Sequence, residues 1–199
     1  MKKLHVVVLL IIFISSLSCV EMVKEAAKNM QINSKESLSE SNFKTVTIDS
    51  LYQLDVPIYM KEMPSLHQEA SLKFANILKE VYTITLNENK KDFIALVKGL
   101  EEYNENESVI DNYASIQKQM FEESVEVSDV EKYGVSSING LQARQIKLIG
   151  EVDGISIFYV ITFIEGRDNI YMIMNWTTED NADKLENTFE YISSTFNLM

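Results

Sequence analysis

The stretch Val135–Thr177 reads VSSINGLQARQIKLIGEVDGISIFYVITFIEGRDNIYMIMNWT, and its reading decides the fold. Asn139-Gly140 is the dipeptide that favours a type I′ hairpin turn, because both central residues of that turn need positive φ. Gly150 and Gly154 are read as bracketing the next reversal, and Gly166-Arg167-Asp168-Asn169 as making the one after it. The stretch is therefore expected to be an antiparallel meander. Its last two runs, Ile155–Ile164 and Ile170–Trp176, are apolar on both faces over most of their length. That is the pattern of central strands covered on both sides, so helices are expected on both faces of the sheet.

Working outward, helices with one apolar stripe are available. Phe93, Leu96, Val97 and Leu100 recur at helical spacing, and Val109, Tyr113, Ile116 and Met120 form a second stripe. Ser108, followed three places later by Asp111, is a plausible cap for the second. Leu185, Phe189, Ile192 and Phe196 repeat the spacing near the C-terminus. Half-buried strands are expected where Val46 and Ile48, Leu72 and Phe74, and Tyr82, Ile84 and Leu86 alternate with polar residues. The segment from Val56-Pro57 to Pro64 holds both prolines of the chain, which suits the end of an edge strand and the start of a loop. Tyr59, Met60 and Met63 in that loop are candidates for an exposed contact with a protein partner; folding back onto the core is the competing reading.

A strand ending in Asp55-Val56-Pro57, helices in the middle, Asn139-Gly140-Leu141-Gln142-Ala143 opening a meander, and a closing helix together resemble the PsbP/Mog-type fold. The chain is most similar to the DcrB-like lipoproteins of bacterial envelopes, over roughly residues 43 to 199. The resemblance implies an α+β domain: an α/β/α sandwich whose antiparallel, meander-rich sheet is covered by helices on both faces, with no enzymatic activity. Relatives of that fold act as assembly or binding factors, among them the PsbP subunit at photosystem II, a Ran-binding nuclear transport protein, and envelope lipoproteins. The matching positions, Pro57, Gly140 and Ala143, are scaffold positions, so no functional residue carries over.

The N-terminus addresses location. Lys2 and Lys3 precede an apolar run from Val6 to Ile14 and then Ser15, Ser16, Leu17, Ser18 and Cys19, the order of a secretory signal. The run is too short to span a bilayer, which takes roughly 20 apolar residues. Ser16 and Ser18 flank Leu17 as in ordinary secretory cleavage. The single cysteine of the chain, however, lies directly after the apolar segment, where the sequence resembles the lipobox of bacterial lipoproteins; it departs from that motif in having Ser16 where Leu is usual. The expected organisation is a signal peptide over 1–18, a lipidated Cys19 leading a flexible tether to residue 42 with a short helix around Met22–Met30, and one globular domain over 43–199. More than one acyl chain makes such anchoring stable.

Composition removes several function classes. With 18 Lys+Arg against 30 Asp+Glu and only two arginines, Arg144 and Arg167, the chain lacks the basic footprint that nucleic-acid binding requires. A lone cysteine spent on lipid leaves no disulfide, zinc knuckle or thiol nucleophile, and no phosphate-binding or nucleophile-elbow motif occurs. After the signal only His67 remains to serve a hydrolytic triad, beside Ser65 and Glu69. Two acidic clusters, Glu101, Glu102, Glu105, Glu107 and Asp111, and Glu122, Glu123, Glu126, Asp129 and Glu131, lack calcium-loop spacing and read first as solvated surface.

The function expected is that of a non-enzymatic, lipid-anchored protein of the bacterial cell envelope, facing the periplasm or the exterior and binding another envelope protein. Its membrane contact would run through the lipid on Cys19, since a net charge of -12 is repelled by anionic headgroups. Neither a cofactor nor a resident metal is expected. A carrier or sensor of a small apolar ligand, seated among Tyr159, Phe163, Tyr171, Met172, Met174 and Trp176, or of a divalent cation, is the alternative. A hydrolase centred on His67 ranks last.

Overall fold

The computed structural model describes residues 35–131 and 134–199. The signal segment, Cys19, the helix expected around Met22–Met30 and the tether up to residue 34 lie outside the described residues.

The central pair is β9 (Ile155–Glu165) and β10 (Asn169–Thr178), joined antiparallel from Ile170↔Glu165 to Thr178↔Ile157. On the far side of β10 lies β5 (Val81–Asn89), and on the far side of β9 lies β8 (Leu141–Val152). Beyond β5 come β4 (Leu72–Asn76) and the two-residue β3 (Lys61–Glu62); the outer edge of β8 carries β6 (Glu126–Glu131) and the short β7 (Ser137–Ile138). Asn139 and Gly140 have φ of 48° and 82°, so the first hairpin turn is of the expected type. Asp153 and Gly154 repeat it, at 53° and 77°. Gly150 does not bracket this turn as expected. It lies inside β8, where a Cβ would stand 2.4 Å from Val125 Cγ1, so close strand packing rather than chain reversal calls for glycine there.

Both faces of the sheet are covered, as the two-sided apolarity of β9 and β10 demands. One face takes α1 (Lys90–Gly99) and α2 (Val109–Ser124), whose Phe93, Val97, Ile110, Tyr113, Ala114 and Phe121 pack on Ile84, Ile146, Ile161, Phe163 and Met172. Asn89 caps α1 by accepting from the amides of Lys91 and Asp92, and Ser108 caps α2 at the Asp111 amide. The expected apolar stripes sit slightly off the buried faces. Leu96 and Leu100 of the first are exposed, and Val109, Ile116 and Met120 of the second flank the seam that Ile110, Tyr113, Ala114 and Phe121 fill. Tyr113 is common to both, while Ile110, Ala114 and Phe121 are apolar like the stripe residues, and which side of the helix meets the sheet depends on tertiary packing.

The other face takes α3 (Ala182–Ser194) through Leu185, Phe189 and Ile192, with Phe196 just beyond it. The α/β/α sandwich is thus present, but this helix layer is shared with a small second sheet. There β2 (Tyr52–Pro57) pairs with β1 (Phe43–Ile48) on one side and β11 (Asn197–Leu198) on the other, tying the two ends of the domain together. Tyr52, Leu54 and Val56 point from it into the core.

A buried polar seam runs under α3. Thr83 Oγ1 donates to Asn175 Oδ1 at 2.9 Å, Asn175 Nδ2 donates to Ser193 Oγ at 3.2 Å, and Gln145 Nε2 donates to Thr162 Oγ1 at 2.9 Å. Thr177, two residues beyond Asn175 and wholly buried, has a hydroxyl with no hydrogen-bond partner among the described residues. Such a group gives back nothing for its desolvation. Thr177→Val is therefore expected to leave stability unchanged or raise it by up to ~1 kcal/mol, whereas Thr162→Val, which strands the Gln145 amide, should cost about 1–3 kcal/mol. Urea unfolding of the two variants checks the contrast, and equal losses would contradict it.

Candidate functional site

Three segments distant in sequence are laced together where the described chain begins. Proline at position 57 ends β2, and the Met60 amide donates back to the Pro57 carbonyl at 3.0 Å to close the turn that follows. Asn76 caps the 3-10 turn Ile77–Lys79 by accepting from the Lys79 amide at 3.0 Å, while its Nδ2 donates to the Tyr59 carbonyl at 2.9 Å. Glu80 follows at φ 55°, the left-handed conformation that turns the chain into β5. From the leading segment, the Asn42 carbonyl accepts from the Ile58 amide at 2.9 Å, and Asn42 Nδ2 reaches the Ser37 carbonyl at 3.0 Å.

Glu36 binds this junction most closely. Its Oε2 accepts from the Tyr59 hydroxyl at 2.7 Å and from Thr188 Oγ1 of α3 at 3.1 Å, and its Oε1 lies 3.4 Å from Lys79 Nζ. The same lysine sits 4.3 Å from the centre of the Tyr59 ring. Burial and the adjoining carboxylate push the Tyr59 phenol far above its ordinary range, so it serves as a donor throughout the physiological pH range.

Around these bonds four aliphatic side chains are left in solvent. Leu78 is 76% exposed and Ile58 56%, with Ile77 and Leu38 also exposed. This is where the expected contact residues must be corrected. Met60 is completely buried in the core because the Pro57 turn folds it inward, and Tyr59 is half-buried with its hydroxyl spent on Glu36. Met63 is half-buried. The apolar side chain between the prolines that is exposed is Ile58, beside the charged Lys61 and Glu62. Neither it nor Leu78 was legible as surface, because a single aliphatic residue beside a turn carries no periodicity to orient it.

The other sequence candidates serve the scaffold. His67 Nδ1 accepts the amides of Glu69 and Ala70 at 3.2 and 3.1 Å, and burial, aided by Lys73 and opposed by Glu69, lowers its pKa. That nitrogen holds a turn together. In the first acidic cluster, Asp111 takes a two-pronged bond from Arg144 at 2.6 and 3.0 Å. Burial alone would raise Asp111, but the guanidinium and the Ser108 hydroxyl hold its carboxyl below the usual range. Glu105 pairs with Lys98 at 2.6 Å, and in the second cluster Glu123 accepts from Gln119 at 3.0 Å. No group of three His, Cys, Asp or Glu side chains among the described residues is arranged to hold a metal ion. Tyr159, Phe163, Tyr171, Met172, Met174 and Trp176 are all core residues. Phe163 meets the Tyr113 ring edge-on at 5.9 Å, and Tyr159 meets Phe121 at 4.8 Å. Cys19 lies outside the described residues.

Sequence reasoning missed one further perturbed group. Glu88, on β5 beneath α2, accepts from the Tyr113 hydroxyl at 2.9 Å and lies 3.4 Å from Gln117 Nε2. Burial raises its pKa first and the Glu69 charge adds to that, while the Tyr113 bond opposes them.

The arrangement of sheet and helices matches that of a known structure. The solution structure of cyanobacterial PsbP (CyanoP) from Synechocystis sp. PCC 6803 superposes with a TM-score of 0.54 at 9% identity, over 84% of this chain and 99% of that one. LpqN, involved in cell envelope biogenesis of Mycobacterium tuberculosis, superposes more loosely, with a TM-score of 0.49 at 9% identity over 82% and 97% of the two chains. A protein of unknown function from Pseudomonas aeruginosa, PA94, gives a TM-score of 0.43 at 12% identity over 77% and 95%. No protein-family model and no curated protein matches the sequence. The chain has a PsbP-like fold of the α+β class.

Glu88 makes the fold sensitive to pH in a definite direction. A carboxyl with a raised folded-state pKa contributes stability that is fully present below its unfolded value and is lost as pH rises through the folded value. Replacing it by a neutral acceptor removes that loss. Glu88→Gln should therefore gain on the wild type in urea unfolding over the range in which pH rises from the ordinary glutamate value of about 4 through the raised folded value of Glu88. A difference constant across that range would refute the assignment.

Proposed function

We propose that this chain is a non-enzymatic, lipid-anchored envelope protein that binds another envelope protein through the junction carrying Ile58 and Leu78. The observation that supports it is the exposure of these aliphatic side chains on segments held in place by hydrogen bonds. Exposed apolar residues on a fixed frame offer a partner area to bury at about 25 cal/mol per Å² without first paying to order a loop. The junction also receives the segment that leads back toward Cys19, so on this reading the surface stands nearest the anchor. A partner at the same membrane would meet it at high local concentration. The PsbP-like fold agrees with a binding role but does not specify one. The buried aromatic strand residues, Tyr159 and Phe163 against rings of α2 and Tyr171 against Tyr52 and Phe196 on the other face, give the carrier reading no particular support.

The test is photocrosslinking in living cells with the reactive residue placed in turn at Ile58, Leu78 and the exposed Glu123 on the opposite face. One dominant companion from the first two positions and none from the third is expected, with the crosslink at Ile58 abolished by Leu78→Asp. No companion above background from either aliphatic position would overturn the reading. In the same cells Cys19→Ala is expected to move the protein out of the membrane fraction and to abolish incorporation of a labelled fatty acid. Retention of either property would sink lipid anchoring at that residue.

A further inference from the structure

We infer that Tyr59, Lys79 and Thr188 form a carboxylate seat, occupied in this structure by Glu36 of the same chain and able to take a carboxylate from a partner's peptide segment instead. This deepens the proposed function and rests on it for the partner.

The donors meet both oxygens of one carboxylate: two hydroxyls converge on Oε2 at 2.7 and 3.1 Å, and the lysine addresses Oε1 at 3.4 Å. The Glu36 side chain is only 14% exposed although it belongs to a polar leading segment, so the domain encloses it. All three donors belong to the folded domain: the turn after β2, the turn before β5, and α3. None comes from the segment that supplies the glutamate. The seat therefore persists when that segment leaves.

The segment itself is lightly held. Besides the carboxylate, its backbone is tied to the domain by the Glu36 amide to the Lys184 carbonyl at 3.3 Å and by the Ile58 amide to the Asn42 carbonyl at 2.9 Å, while the Asn42 side chain to Ser37 at 3.0 Å lies within the segment itself. Charge-assisted bonds are the strong ones in such a set, so the carboxylate decides whether the segment stays. A ligand tethered in cis competes at an effective concentration in the millimolar range, which conceals the seat from weak outside ligands while Glu36 is present.

Tyr59 and Lys79 are also the neighbours of Ile58 and Leu78 in sequence. A partner segment carrying an aliphatic residue beside an acidic one would place the first on the exposed side chains and the second in the seat. The occupant is thus an acidic peptide stretch of a protein partner, and the leading segment KESLSES, Lys35–Ser41, is its in-chain counterpart.

The experiment uses full-length protein in detergent and a fluorescent synthetic peptide, KESLSES, read by polarisation. The Glu36→Ala variant is expected to bind the peptide at least tenfold more tightly than wild type. The control peptide KQSLSES should bind at least fivefold more weakly, and Tyr59→Phe or Lys79→Met in the Glu36→Ala background should lower affinity at least fivefold. Glu36→Gln serves as a second variant if Glu36→Ala melts early in a thermal scan. Equal binding by wild type and both variants, no binding by either variant at millimolar peptide, or indifference to the glutamine control would each overturn the seat. A Leu78 crosslink without peptide binding would keep the partner surface and reject the seat; peptide binding without the crosslink would keep the seat and reject the surface.

Discussion

The structure depends on the antiparallel pairing of two strands that are apolar on both faces. From Ile157 to Ile164 on one strand and Ile170 to Thr177 on the other, every residue is buried, so the backbone groups must find their partners within the sheet. Both outer edges of the pair are in turn occupied, by β5 and β8. Side chains alternate between two faces that each have to be buried, so a single covering layer would leave Met172, Met174 and Trp176, or Tyr171 and Ile173, in solvent. Two covering layers follow as a requirement of burial. The three helices and the small sheet are the means by which this chain meets it.

That requirement was legible in the sequence because it is written locally. Ile155–Ile164 and Ile170–Trp176 state two-sided burial outright, Asn139-Gly140 states a turn type through the φ values it permits, and Leu185, Phe189, Ile192 and Phe196 state a face that the structure buries without exception. The small sheet was harder to see. Alternation in Val46 and Ile48 announces a strand but not its partner, and β11 is a two-residue strand, Asn197–Leu198, too short to leave a pattern. Its existence follows from the way the chain ends meet beside Tyr52. Gly150 shows the same limit from the other direction. Read as a turn residue, it is a strand residue that makes room for Val125, a contact no local rule contains.

The junction was illegible for a related reason. Residues 36, 59, 79 and 188 converge on one carboxylate, and the sequence separations among them reach 152 positions. Within its own neighbourhood Glu36 is one acidic residue in a polar, serine-rich stretch, indistinguishable from Glu40. Tyr59 and Met60 illustrate how tertiary context assigns opposite fates to adjacent apolar residues. The turn after Pro57 turns the methionine into the core and the tyrosine toward Glu36, and it leaves Ile58 outside. Composition marks this loop as apolar, and the turn closed by the Met60 amide on the Pro57 carbonyl decides which of Ile58, Tyr59 and Met60 is left exposed.

An aliphatic surface beside a carboxylate seat divides the work of recognition in a physically sensible way. Burial of Ile58 and Leu78 is non-directional and would accept many apolar partners. The seat is selective, because a partner that displaces Glu36 without bringing a carboxylate leaves the Tyr59 and Thr188 hydroxyls without their acceptor, at about 1–3 kcal/mol for each where water is excluded, while Lys79, 44% exposed, can turn to water. Discrimination of that size comes from penalising the wrong ligand and needs no extra attraction to the right one. The same competition links recognition to the leading segment. Whatever fills the seat in trans weakens the hold on the segment that leads back to Cys19, and by thermodynamic reciprocity a force or contact that draws that segment away opens the seat to the partner.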